Sequence, residues 1–373
     1  MNNVELRADD KVFTGWTKAT INRSIESLAG NFDLGVNVPL NADLSSLAPG
    51  KSFTLSIDGQ IVITGFIDSR RRSLSADTLS ISIEARDKTA DLIDCAAVYK
   101  GGQWKNRTLA QIASDLCAPY GVSVRWELSD SETSAPFPTF TLDHSETVYE
   151  ALGRASRARG VLMTSNAAGE LVFTQADSTQ TDRLVLGQNL LSIEFDEDYR
   201  NRFSEYIVVG HARASGKVGD TLDARSIASQ KGHAMDPGVS RYRPTIILAD
   251  SKTDTRSATA RAVREQRRRL AKSLTYEAKV EGWKRENGQI WLPNLLVDLD
   301  ASVFALDGGP LLVSKVVLSL DDKDGVQTTL TLAPRDGFLV PVEPDSKGKK
   351  NDAGGGIDSL AEEYYRKHPE KRP

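Results

Sequence analysis

Asp143-His144-Ser145 puts all three residue types of a serine-hydrolase triad into one tripeptide. Adjacent residues cannot act together in that way, because a triad's groups must converge from separate segments. The expectation is that Asp143 and Ser145 satisfy backbone groups ahead of the next helix. The four histidines, His144, His211, His233 and His368, are scattered, and none lies at metal-site spacing from another His or Cys. Cys95 and Cys117 are likewise not spaced as metal ligands. Neither GxxxxGK[ST] nor GxGxxG occurs, and the AGGGIDS stretch (353–359) follows no strand-like run. The acidic runs Asp196-Glu197-Asp198 and Asp321-Asp322 lack the alternating carboxylates and glycine of a calcium loop and read as solvated strand ends or turns. No catalytic residue, cofactor-binding residue or metal ligand is expected.

Two basic clusters remain. Arg70-Arg71-Arg72 is expected at a hairpin turn after a strand-like run, and Arg264, Arg267, Arg268, Arg269 and Lys272 fall on one helical stretch. A phosphate contact would use such residues and would weaken steeply with salt. No aromatics are interleaved to stack bases, and the net charge of −4 supplies no global attraction to a polyanion. A solvated or interface face is the main reading, with a nucleic-acid or other polyanion contact as the alternative.

These residues need elements to hold them. With 373 residues, 39% hydrophobic and 26% charged, the chain is long enough for several soluble domains. No apolar run reaches the roughly 20 residues of a membrane span, and MNNVELRADD is not a basic-then-apolar leader, so folding in a reducing cytoplasm is expected. Residues 1–91 read as strands and turns: VFTGW, NFDLGVNV, SFTLSI, QIVITGFID and TLSISIEA, with Asp58-Gly59 as a hairpin turn. This pattern suits a small antiparallel barrel or sandwich.

Residues 92–190 change character. TLAQIASDLCAPYGVSV (108–124) is echoed without a gap by TVYEALGRASRARGVLM (147–163). Each copy opens with a capping box, Thr108 with Gln111 and Thr147 with Glu150. An apolar helical stripe follows, Leu109, Ile112, Ala113 and Leu116 in one, Val148, Ala151, Leu152 and Ala155 in the other, then a glycine (Gly121, Gly160) and a strand. An α+β domain of two helix–strand units is expected. Residues 191–215 and 275–340 return to strands and are expected to form a second, discontinuous β-barrel domain. Residues 216–274 form an inserted α/β domain ending in the basic helix.

A second echo links the two β domains. With Arg86-Asp87 set on Arg335-Asp336, GFIDSRRRSLSADTLSISIEARD (65–87) falls on SKVVLSLDDKDGVQTTLTLAPRD (314–336) without a gap. Ile67 then meets Val316, and Ile81 and Ile83 meet Leu330 and Leu332. Two readings fit, a duplicated barrel or generic hairpin similarity. Arg86, Asp87, Arg335 and Asp336 are accordingly candidates for a barrel-corner brace or a subunit interface, with an exposed turn as the alternative.

VFTGWTKATINRSIESLAGNFDLGVNVP, SRRRSLSADTLSISIEARDKTADLIDCAAV, GGQWKNRTLAQIASDLCAPYGV and the GIDSLAEEYYRKHPEK tail resemble the baseplate hub proteins of Mu-like contractile-tailed bacteriophages, over essentially the whole chain. The resemblance implies a mainly β, α+β multidomain fold with two similar small β-barrels plus α+β domains, as in the hubs of T-even phages and type VI secretion spikes. It also implies a structural, non-enzymatic homotrimer in the virion tail, assembled in the host cytoplasm. Its partners would be the trimeric tail spike protein, the tail tube protein and other baseplate proteins. Six barrels from three chains would match the three-fold spike to the six-fold tube. A tail-associated cell-wall hydrolase or a nucleic-acid-binding structural protein are the alternative functions.

Residues 341–373 read as a linker, EPDSKGKKNDAGGG, and a short helix whose Ile357, Leu360 and Tyr364 share one apolar face. The stripe either docks on a neighbouring chain or baseplate protein, or packs locally as a terminus. Deleting residues 345–373 separates the two readings. Docking predicts less assembled complex by sedimentation, and unchanged assembly removes it.

Overall fold

A computed structural model describes residues 3–129, 133–210, 231–249, 255–300 and 310–339. The chain divides into two compact units, Met1–Arg202 with Arg267–Val340, and Phe203–Gln266 with Pro341–Pro373.

The first unit opens with seven strands: β1 (Val4–Ala8), β2 (Lys11–Phe13), β3 (Lys18–Ser24), β4 (Asn31–Val38), β5 (Ser52–Ile57), β6 (Gln60–Leu74) and β7 (Leu79–Asp87). Alternation builds them: Ala19 and Ile21 of β3, Phe32 and Leu34 of β4, and Ile81, Ile83 and Ala85 of β7 are all buried. Asp58 and Gly59 both take positive φ (48° and 80°), the two-residue turn that matches strand twist, and they close β5 onto β6. Gly65 is required by close approach, since a Cβ there would lie 2.0 Å from the Arg86 carbonyl oxygen.

Next come α1 (Ala90–Asp94), β8 (Gln103–Arg107), α2 (Leu109–Cys117), β9 (Val124–Trp126), β10 (Phe137–Thr141), α3 (Val148–Arg159), β11 (Leu162–Ser165) and β12 (Leu171–Thr174). Both expected capping boxes form. Thr108 Oγ1 accepts from the Gln111 amide and Thr147 Oγ1 from the Glu150 amide, while each long side chain accepts from its threonine's amide. All eight residues of the two apolar stripes are buried in one core. The helices flank a sheet in which β12 lies between β11, antiparallel, and β9, parallel.

The remaining strands of this unit are β13 (Gln180–Leu184) and β14 (Ser192–Glu197), then, after the chain has passed through the second unit, β18 (Leu274–Glu281), β19 (Leu296–Leu299), β20 (Pro310–Asp321) and β21 (Gly325–Pro334). The pairing order β3-β4-β7-β6-β5 of the first half is matched by β14-β18-β21-β20-β19 in this one. Local details fix the correspondence. A bulge interrupts β6 between Ile67 and Ser69 and interrupts β20 between Val313 and Lys315. Ile67 N–H donates to Lys51 O as Val313 N–H donates to Leu295 O. Gly50 N–H donates to Ile67 O as Asn294 N–H donates to Val313 O, and Gly50 and Asn294 both have positive φ.

Ile67 therefore corresponds to Val313, Ala85 to Leu332, and Arg86-Asp87 to Ala333-Pro334. The gapless superposition was displaced by two residues on β7, where the repeated Arg-Asp misplaced it, and by one more on β6, because two residues lie between the closing pair Ser75 and Thr78 but three between Asp321 and Gly325. Among the described residues no closed barrel is found. The halves join in one open thirteen-stranded sheet through β3 and β20, and one hydrophobic core runs from Leu6, Ile21 and Leu34 to Ala278, Leu318 and Leu332.

The second unit holds β15 (Glu205–Val209), β16 (Lys231–Met235) and β17 (Pro244–Leu248), ordered β16-β15-β17. Helix α4 (Thr255–Lys272) begins in this unit. Tyr206, Val208, Ala258 and Ala262 form its core. A Cβ on Gly232 would lie 2.1 Å from Ala258 and Thr259 backbone atoms, so only glycine lets helix and sheet meet there. Because β15 pairs with β16 and β17, residues from 203 belong to the insertion, which starts earlier than the expected 216.

Gly65→Ala should destabilise the first unit by about 3 kcal/mol or more, since the clashing atoms are backbone. Urea unfolding against the unaltered chain measures it.

Candidate functional site

The joint of the two halves is an antiparallel ladder of six pairs, from Lys315 opposite Ser24 to Leu320 opposite Ala19. Its inward side chains, Ala19, Ile21, Val316 and Leu318, are buried. The β20 bulge residue secures one end: the Ser314 carbonyl accepts from the Ile25 amide (2.9 Å) and the Ser24 hydroxyl (3.0 Å).

Within this ladder, opposite Val316, Arg23 of β3 is buried, as strand parity after Ala19 and Ile21 demands. Its guanidinium donates to Ser165 O of β11 (2.5 Å). Burial lowers its pKa, and the charge of Asp87 opposes that shift. Asp87, at the end of β7, is also buried and accepts four hydrogen bonds. Oδ2 takes Gly30 N–H (2.7 Å) and Ser165 Oγ (2.6 Å), and Oδ1 takes Thr89 N–H (2.8 Å) and Oγ1 (2.5 Å). Four donors converge on one buried carboxylate, which meets the hydrogen-bonding demand of a buried polar group. Asp87 thus holds the sheet against the domain of residues 89–175 where the chain enters that domain.

Arg86 points outward and forks between Asp68 (2.8 Å) and Asp94 of α1 (2.7 Å). Those carboxylates raise its pKa, and Arg86 lowers that of Asp94. Arg335 lies in a short 3-10 turn (Arg335–Phe338) and donates to the carbonyls of Asp177 (2.6 Å) and Ala176 (3.1 Å). Asn294 holds the same segment through Gln175 O and Asp177 N–H. Arg335 therefore acts where the chain leaves the 89–175 domain, while Asp336 is exposed. Arg86-Asp87 and Arg335-Asp336 are not equivalent positions, yet Asp87 and Arg335 hold opposite ends of one domain. Ile357, Leu360 and Tyr364 lie outside the described residues. Arg23, Ser165 and Asn294 were not singled out from the sequence. Only the inward parity of Arg23 could have marked it.

The chemically suggestive residues take other roles. Glu146, rather than Asp143 or Ser145, accepts from the Asp143 amide (2.7 Å), and Arg154 pairs with Glu146 (2.8 Å). Burial pushes the Cys117 thiol up to about 12. Among the described residues no group of three His, Cys, Asp or Glu could hold a metal, and no helix is long and apolar enough to cross a membrane. In the basic helix, Arg269 donates to Asn201 O (3.3 Å) and Lys272 pairs with Glu26 (3.1 Å). Arg70 donates to Leu44 O (2.5 Å), whereas Arg71 and Arg72 are exposed on β6 beyond the reach of β5.

This arrangement has known relatives. The chain is 68% identical, over all of its 373 residues and 98% of the relative, to the baseplate hub protein gp44 of Escherichia phage Mu. The chain belongs to the Mu-like baseplate hub family. Family profiles agree segment by segment. Residues 3–87 match the N-terminal domain of Mu phage baseplate assembly protein GpP-like proteins, 89–175 the second domain of gp44-like baseplate hub proteins, and 254–341 the fourth domain of GpP. Among solved structures, the 43 kDa tail protein of prophage MuSo2 from Shewanella oneidensis is 32% identical (TM-score 0.80, 91% of this chain and 100% of that one). A tail protein from Neisseria meningitidis MC58 shares the fold at 24% identity (TM-score 0.75, 92% and 99%). An E. coli type VI secretion component described as structurally similar to T4 tail proteins gp27 and gp5 shares it at 11% (TM-score 0.58, 91% and 80%). The hub is a structural protein of the virion tail baseplate.

In this hub, Asp87→Ala leaves the buried donors of Gly30, Thr89 and Ser165 without their acceptor and should cost about 3–5 kcal/mol. Denaturant unfolding should show that loss. Arg86→Gln removes only a partly exposed fork and should cost no more than about 1 kcal/mol.

Proposed function

We propose that three copies of this hub assemble into a ring whose six β halves match a trimeric spike on one side and a hexameric tail tube on the other. The observation that carries the reading is the internal correspondence of β3-β4-β7-β6-β5 with β14-β18-β21-β20-β19. A chain holding two equivalent halves presents six equivalent surfaces when tripled, and three-fold symmetry then approximates six-fold. The role is positional, with no catalytic step. Other baseplate proteins bind around the ring's periphery.

The deciding measurement is sedimentation mass over a range of concentrations. A trimer is expected at micromolar concentration. A chain that stays monomeric at the highest concentration reached overturns the reading.

A further inference from the structure

The thirteen-stranded sheet stops at an open edge that its own internal joint explains. In the joint, the part of β20 beyond its bulge, Lys315–Leu320, overhangs β19 and takes β3 as its neighbour. The corresponding part of β6 beyond its bulge, Ser69–Leu74, overhangs β5 in the same way, yet among the described residues it pairs with β7 alone. The strand corresponding to β3 is β14, which ends the pairing path and, among the described residues, is bonded to β18 alone. One half therefore has the overhang without its neighbour, and the other has the neighbour strand without its overhang.

We infer that β14 of one copy pairs antiparallel with the Ser69–Leu74 overhang of β6 in a second copy, repeating between chains the β3–β20 ladder made within each chain. The inference rests on the trimeric ring proposed above and names the strands that close it.

The register follows from the correspondence. Ile21 pairs with Phe32 and Phe32 with Ala85, whereas Phe195 pairs with Tyr276 and Tyr276 with Leu332, so Phe195 stands where Ile21 stands. Carrying the internal ladder across sets Arg70 opposite Glu197 of the second copy, Arg71 opposite its Asp196 and Leu74 opposite its Ile193. Arg71, Arg72, Asp196 and Glu197 are all exposed within the single chain, and Leu74 is 72% exposed. Opposite charges directly across an antiparallel pair stabilise it, like charges oppose it, and Leu74 gains an apolar neighbour. The basic cluster on β6, whose Arg70 also donates to Leu44 O, and the acidic run on β14 thus become complementary. An exposed edge offers main-chain donors and acceptors to another strand, and joining the β14 edge of one copy to the β6 overhang of the next in a head-to-tail contact closes a ring.

The test is charge exchange read by sedimentation. Arg70→Glu/Arg71→Glu, and separately Asp196→Lys/Glu197→Lys, should each reduce the mass threefold, from trimer to monomer, with unchanged circular dichroism. Combining all four changes should restore the trimer. As a check independent of folding losses, Arg71→Cys/Asp196→Cys in a Cys95→Ser background should form disulfide-linked dimers and trimers on a non-reducing gel under mild oxidation. If the unaltered chain is trimeric but neither reversal lowers the mass and no cross-link forms, the pairing is overturned while the trimeric hub stands. A monomeric unaltered chain overturns both.

Discussion

The structure depends on a ladder of backbone hydrogen bonds between strands almost three hundred residues apart in sequence, β3 and β20. Each half alone would expose a long edge of unpaired amides and carbonyls. Joining them merges two sheets into one and two cores into one, so that Ile21 and Leu318 become neighbours in the same apolar interior. The β20 bulge sets the end of that ladder, because it presents the Ser314 carbonyl to the Ile25 amide and the Ser24 hydroxyl.

The domain of residues 89–175 is held to this frame at the two points where the chain crosses between them. Where it enters, buried Asp87 gathers donors from Gly30, Thr89 and Ser165, and Arg23 reaches Ser165 from the neighbouring strand. Where it leaves, Arg335 and Asn294 hold the backbone of residues 175–177. Polar clamps of this kind specify geometry: a buried charge tolerates one arrangement of partners and resists others. A hub that must place several partners in fixed positions needs that definition more than it needs added stability.

Local physics was well marked in the chain. The capping boxes at Thr108 and Thr147, the apolar stripes behind them, the Asp58-Gly59 turn and the strand alternation all appear where the sequence places them. The duplication was visible too, but its register was not. LSISI and TTLTL both alternate, so sliding one by two residues keeps every inward residue inward, and the repeated Arg-Asp supplied a false anchor. Only the bulges and the shared Gly50 and Asn294 amide bonds distinguish the true register. Arg23 and Asn294 escaped notice because nothing near them in sequence announces a partner 142 or 119 residues away.

By itself, the sequence determined the elements whose forces are local: helix ends, the hairpin turn, the buried face of each strand, and the absence of spacing for metal or nucleotide chemistry. The tertiary structure decided what depends on pairing at a distance. It joined the strands of both halves in one continuous sheet, assigned β15 to the smaller unit, and turned Asp87 and Arg335 into clamps on one domain. The physical reason is the same throughout. A strand's pattern states which face is buried but not which edge it joins, and edges are settled only when all the strands compete for partners together.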